Sequence, residues 1–187
     1  MHDPQDVSRA TEALLDVLTL GGFEYALVGG IAVVVNGHNR YTIDVDALVW
    51  DLDVRLEELL ELLKQRDIEP IAPEQSTLAR QQRLVHLIWK DRTYIDVMLG
   101  FLPLERDILD NANAVDLRDG VHAMVASPED LVIMKLTASR EKDITDVIAL
   151  KELYPDLDRL RIRTIVSEYA EALERPDITE NLDRWFP

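Results

Sequence analysis

Apolar residues recur along this chain with two periods, and the switches between them mark out its elements. Over residues 7–20 the positions Val7, Ala10, Leu14, Val17 and Leu18 keep helical spacing, and Gly21-Gly22 supplies a stop that tolerates left-handed backbone. Residues 23–28 are short, aromatic and β-branched, which predicts a buried strand running into the turn at Gly29-Gly30. Residues 31–36 are rich in Val yet predict a short helix, because a strand there leaves no room before the turn at Gly37-His38-Asn39. Residues 41–49 alternate, with Thr42, Asp44 and Asp46 on one face and Ile43, Val45 and Ala47 on the other. The helical period returns over residues 53–66 at Leu56, Leu59, Leu60 and Leu63. Residues 68–71, 84–89 and 93–99 predict strands, the last two joined by Lys90-Asp91-Arg92 as a hairpin.

Beyond Gly100 the pattern is helical. Ser127-Pro128-Glu129-Asp130 offers a capping hydroxyl, a first-turn proline and acids at the positive end of the dipole, so a helix starts there and runs to about Ser139. Further helices are expected over residues 143–153 and 157–173, and the tail 177–187, with Trp185 and Phe186, is a segment that docks on the body or on a partner. The sum is an α/β (α+β) protein: a mixed, twisted sheet within residues 1–110, followed by C-terminal helices over residues 111–187 packed on that core.

Composition narrows the picture. With 47% hydrophobic residues in 187, a sizeable interior can be filled. There is no cysteine, which excludes a disulfide framework and thiolate metal sites. The first six residues lack the basic-then-apolar pattern of a secretory signal, and the longest strongly apolar run, residues 31–35, is far short of the roughly twenty needed to span a bilayer. A cytoplasmic protein with no membrane partner is expected. The formal net charge of -16 repels phosphate backbones, so a nucleic-acid substrate must be met by a local basic patch. Arg80, Arg83, Lys90 and Arg92, around the hairpin, are the place to look for one. The aromatic residues are too dispersed for a base-stacking platform, and the four histidines show no metal-ligand spacing.

The candidate chemistry lies in the alternating strand. Asp44 and Asp46 project to one side, about 7 Å apart at Cα, and Asp96, flanked by Ile95 and Val97, adds an acid inside an apolar strand. Three carboxylates at strand centres match hard divalent cations. Upstream, Gly29 and Gly30 precede a helix, with thirteen residues between Gly30 and Asp44, and backbone N–H groups there suit a triphosphate. For Arg40 and Thr42 two readings stand: contact with phosphate, or pairing of Arg40 with Asp44 or Asp46. Lys135 either reaches into a site or extends along a helix surface, and Asp143 and Asp146 are either its partners or a solvated face.

The run Leu27-Val28-Gly29-Gly30-Ile31-Ala32, with Gly37 and Arg40-Tyr41-Thr42-Ile43-Asp44-Val45-Asp46, resembles the signature of the nucleotidyltransferase (polymerase β-like) superfamily. Pro128-Glu129-Asp130-Leu131, Lys135-Leu136 and Lys142-Asp143-Ile144-Thr145-Asp146-Val147 are similar to its AbiEii-type toxin branch. The resemblance covers about residues 25–150. It implies transfer of a nucleoside monophosphate from a nucleoside triphosphate to a hydroxyl of tRNA, protein or a small molecule, with two Mg2+ ions, or Mn2+ in their place. Asp44, Asp46 and Asp96 would be metal ligands, and Asp96 would also activate the acceptor. Gly29, Gly30, Arg40 and Thr42 would meet the nucleotide, with Lys135 as a catalytic cation oriented by Asp143 and Asp146. The branch implies a toxin with an antitoxin partner; an enzyme that modifies aminoglycoside antibiotics and a non-catalytic nucleotide-binding module are the alternatives. Where the signature commonly carries Ser, this chain has Gly30.

Overall fold

The computed structural model describes residues 4–50, 52–72, 75–90, 92–117 and 120–187; Met1 to Asp3 and Asp91, in the expected hairpin turn, lie outside them. The chain forms two compact units, one of Met1–Ala32 and Arg40–Ala126, the other of Val33–Asn39 and Ser127–Pro187.

The first unit runs α1 (Pro4–Leu20), β1 (Tyr25–Val28), the start of α2 (Gly29–Val35), β2 (Asp44–Trp50), α3 (Leu52–Lys64), β3 (Ile68–Pro70), α4 (Gln75–Gln82), β4 (Leu84–Trp89), β5 (Thr93–Gly100), α5 (Pro103–Asp110), β6 (Asn113–Asp116) and β7 (His122–Val125). Seven strands among the described residues make one mixed sheet in the order β3-β4-β5-β2-β1-β7-β6. β2 lies parallel to β5 and antiparallel to β1, β1 is parallel to β7, and the remaining pairs are antiparallel.

Alternation gives the sheet two unlike faces. Val45, Ala47, Val49, Val85, Leu87, Ile95, Val97 and Leu99 are all fully buried, on the side where α1 and α3 pack against the strands and one another. Asp44, Asp46, Tyr94, Asp96, His86 and Ile88 occupy the other side, and all are at least partly exposed. Burial of the first face holds the register, since a slip of one residue would turn Asp44 and Asp46 on β2, or Asp96 on β5, into that core.

The second unit contains the end of α2, then α6 (Pro128–Ala138), a 3-10 turn (Glu141–Asp143), α7 (Ile144–Leu153), α8 (Arg159–Ala172) and α9 (Pro176–Trp185). Ser127 caps α6 as its sequence predicts, accepting from the Asp130 amide, and α8 packs against both α6 and α9. The tail docks inside this unit: Trp185 and Phe186 are buried, and the Phe186 carbonyl accepts from Arg163 Nη1 at 2.9 Å.

Three features differ from the sequence pattern. The acidic strand begins at Asp44 rather than Tyr41, because its partners begin there: β1 ends opposite Asp46 and β5 starts its pairing at Tyr94 opposite Asp44. The helix α4 went unseen because its polar sequence buries Ala79 with no apolar period. β6 and β7 went unseen because four residues each are too few to display alternation.

Candidate functional site

The open face of the sheet carries the acids in a row. Asp46 stands directly opposite Asp96 across the parallel β2–β5 pair, and Asp96 stands opposite His86 on β4. One pleat further along, Asp44 faces Tyr94, which faces Ile88. His86 Nδ1 and Asp96 Oδ1 are 2.7 Å apart, and because an ionised carboxylate only accepts, the imidazole donates. The Thr42 hydroxyl donates to Asp44 Oδ1 at 3.0 Å. His86 was set aside in the sequence for want of metal-ligand spacing, although pairing Trp89 with Thr93 in the hairpin is enough to place it opposite Asp96.

The glycine pair is packed against this row. It is not a loop ahead of a helix but the first two residues of α2. Gly29 has φ +59, and a side chain there would overlap the Asp46 carboxylate. A Cβ on Gly30 would sit 2.5 Å from Thr42 Oγ1 and 2.7 Å from Arg40 Nη2. The space a side chain at position 30 would use is therefore filled by the Thr42 hydroxyl and the Arg40 guanidinium, and the six candidates Gly29, Gly30, Arg40, Thr42, Asp44 and Asp46 converge at one end of β2.

Lys135, Asp143 and Asp146 form their own cluster in the helical unit. The ammonium lies 2.8 Å from Asp143 Oδ1 and 2.6 Å from Asp146 Oδ2, with all three side chains at most 7% exposed. They are neither a helix surface nor a solvated face. Burial pushes the Asp143 carboxyl up, but Lys135 and Arg140 more than offset it and hold it below its ordinary value. His38 Nε2 stands 3.7 Å from Asp146 Oδ1.

The cations around the hairpin, the place to look for a basic patch, are engaged by neighbouring groups. Arg80 pairs with Glu57, Lys90 with Asp67 and Arg92 with Asp6, while Arg83 donates to the Leu99 carbonyl and stacks on Phe101.

Three carboxylates on one sheet face fit a hard divalent cation in donor chemistry and in side. Among the described residues no three His, Asp or Glu side chains are gathered closely enough to hold an ion as they stand. One oxygen of Asp44 and one of Asp96 are occupied, by Thr42 and His86 respectively. Among the described residues, no helix is long and apolar enough to cross a membrane.

Residues 8–185 match the family described as nucleotidyltransferase of unknown function (DUF6036), and the chain belongs to it. No curated protein matches it by sequence. Among solved structures, the antibiotic-resistance factor ANT(2'')-Ia in solution is similar with a TM-score of 0.64 at 11% identity, over 96% of this chain and 98% of that one. The same factor in complex with adenylyl-2''-tobramycin gives 0.59 at 12% identity, over 89% and 99%. The lincosamide antibiotic adenylyltransferase LnuA, lincomycin-bound, gives 0.53 at 18% identity, over 77% and 96%. At these identities the likeness is one of fold.

Proposed function

From that family membership we propose that this protein transfers a nucleoside monophosphate from a nucleoside triphosphate to a hydroxyl acceptor, with magnesium held at Asp44, Asp46 and Asp96. The observation that carries this reading is the register of the sheet, which sets Asp46 beside Asp96 with Asp44 two residues along the same open face. Magnesium bound there would neutralise charge on the triphosphate and polarise the transferred phosphoryl group, with Mn2+ able to substitute. Arg40, beside Gly30, would hold phosphate oxygens by charge, and the Thr42 hydroxyl would donate its one proton to phosphate on leaving Asp44 Oδ1. The acceptor oxygen attacks the α-phosphorus as Asp96 takes its proton, and the bond from that phosphorus to the bridging oxygen breaks to release pyrophosphate. In this proposal Lys135 acts through the helical unit, because reaching elsewhere would strand two buried carboxylates.

Two acceptor classes remain in play. A tRNA- or protein-modifying toxin with an antitoxin partner rests on the likeness of residues 128–147 to the AbiEii-type branch. A small cationic acceptor of the aminoglycoside kind is favoured by two observations: the net charge of -16 and the engagement of the hairpin cations by neighbouring groups. The test is incubation of the protein, and of its Asp44→Ala/Asp46→Ala variant, with each of four labelled ribonucleoside triphosphates, magnesium, total tRNA, the protein itself and an aminoglycoside panel. Label transferred by the wild type alone identifies base and acceptor. No transfer while triphosphate still binds replaces this reading with a non-catalytic nucleotide-binding module.

A further inference from the structure

A residue outside the acid triad bears directly on one of its members. His86 is the cross-strand partner of Asp96, its Nδ1 lies 2.7 Å from Asp96 Oδ1, and both side chains are about one-third exposed on the open face. The order β4-β5-β2 places His86 on one flank of Asp96 and Asp46 on the other. An imidazole donating to Oδ1 ties that oxygen to the β4 side and leaves Oδ2 for the β2 side.

We propose that His86 is a positioning residue for Asp96: it occupies one carboxylate oxygen, so that Asp96 meets the cation and the acceptor hydroxyl through the other. This inference rests on the metal-dependent transfer proposed above. A carboxylate whose two oxygens are both unanchored turns about its Cβ–Cγ bond, so no lone pair is held toward the cation or the acceptor. One oxygen fixed by a neighbour prevents that and orients the carboxylate, as hydrogen bonds to metal-ligating groups do generally. The geometry also names the atom that matters. Asparagine at position 86 can place its amide N–H near where Nδ1 lies, whereas glutamine reaches further out and cannot replace it.

The experiment compares His86→Ala, His86→Asn and His86→Gln with the wild type in two ways: Mn2+ affinity of the purified protein, titrated by electron paramagnetic resonance, and kcat and KM for transfer. Loss of the hydrogen bond to Oδ1 should weaken Mn2+ binding in the Ala and Gln variants by roughly tenfold and lower kcat by roughly the same factor, with KM for the triphosphate unmoved. His86→Asn should restore both readouts to near the wild-type values. A merely structural role would move KM for the triphosphate along with kcat and would not separate Asn from Gln, and that outcome overturns the proposal. So does an Mn2+ affinity that is the same in all four proteins. Failure of the wild type to bind Mn2+ at all overturns the metal-dependent reading itself, and with it this one, and is told apart by the wild-type titration alone.

Discussion

The two units handle carboxylates in opposite ways. In the helical unit Asp130, Asp143 and Asp146 are buried, and each is matched to a cation of the protein: Arg161 at 2.6 Å from Asp130, Lys135 and Arg140 on Asp143, and Lys135 on Asp146. On the sheet, Asp44, Asp46 and Asp96 are partly exposed in a row, and the contacts seen for Asp44 and Asp96 are a hydroxyl and an imidazole. Buried acids with cations fixed beside them are part of what holds a unit together, since removing one partner leaves a charge out of water. Acids placed at the open face of a rigid sheet keep their oxygens near solvent, where a charge from outside can be met. The same residue type thus serves cohesion in one unit and, in our proposal, chemistry in the other.

That contrast can be broken from either side, beginning with the largest effect. Asp46→Asn should reduce transfer by roughly a thousandfold or more in kcat while leaving the chain cooperatively folded. A calorimetric scan beside a single-turnover assay checks it; loss of stability in step with activity would make Asp46 structural. Lys135→Met should do the reverse. It leaves two buried carboxylates without their ammonium and should cost about 3–5 kcal/mol in a urea titration. Full stability with lost transfer would instead make Lys135 a catalytic cation.

Gly30→Ser sharpens the account of the glycine pair. The residue common in the wider signature would here collide with Thr42 Oγ1 and Arg40 Nη2, so we expect KM for the triphosphate to rise about tenfold, roughly 1.4 kcal/mol, instead of falling. Improved binding would show that the position lacks a hydroxyl and that Thr42 does not replace it.

The smallest effect is on pH. Asp143 is held below its ordinary value of 3.8, so the folded state binds fewer protons there than the unfolded chain. Its contribution is fully present above the ordinary value and is lost as the pH falls through the folded one. Unfolding titrations at descending pH should show Asp143→Asn less acid-sensitive than wild type below about pH 4.

How much of this was legible in the sequence follows from how each feature is encoded. The alternation from Asp44 to Val49 and the leucines of α3 displayed their faces directly, and Ser127-Pro128 announced α6 by its cap. The convergence of Gly29, Gly30, Arg40 and Thr42 around β2 fits the spacing of the resemblance. What was hidden is what depends on neighbours. The start of β2 at Asp44 is set by where β1 and β5 offer partners, and no local property of Tyr41 or Thr42 reports it. The burial of Lys135 between two aspartates comes from the return of the chain at residues 141–146, which a helix-surface pattern cannot express. His86 is legible from hairpin register, which sets it opposite Asp96, whereas the spacing of histidines along the chain does not carry it.

The central claim, that the open acid face holds a cation together with a triphosphate, is tested most directly by thermal unfolding with magnesium and ATP, alone and together, repeated for GTP, CTP and UTP. The pair should raise the melting temperature beyond the sum of the separate effects for at least one base. At a hundredfold excess over Kd linkage gives about 2.7 kcal/mol, and the gain should vanish in Asp44→Ala/Asp46→Ala. An unchanged melting temperature with all four triphosphates, or a gain that survives in the double variant, would contradict it.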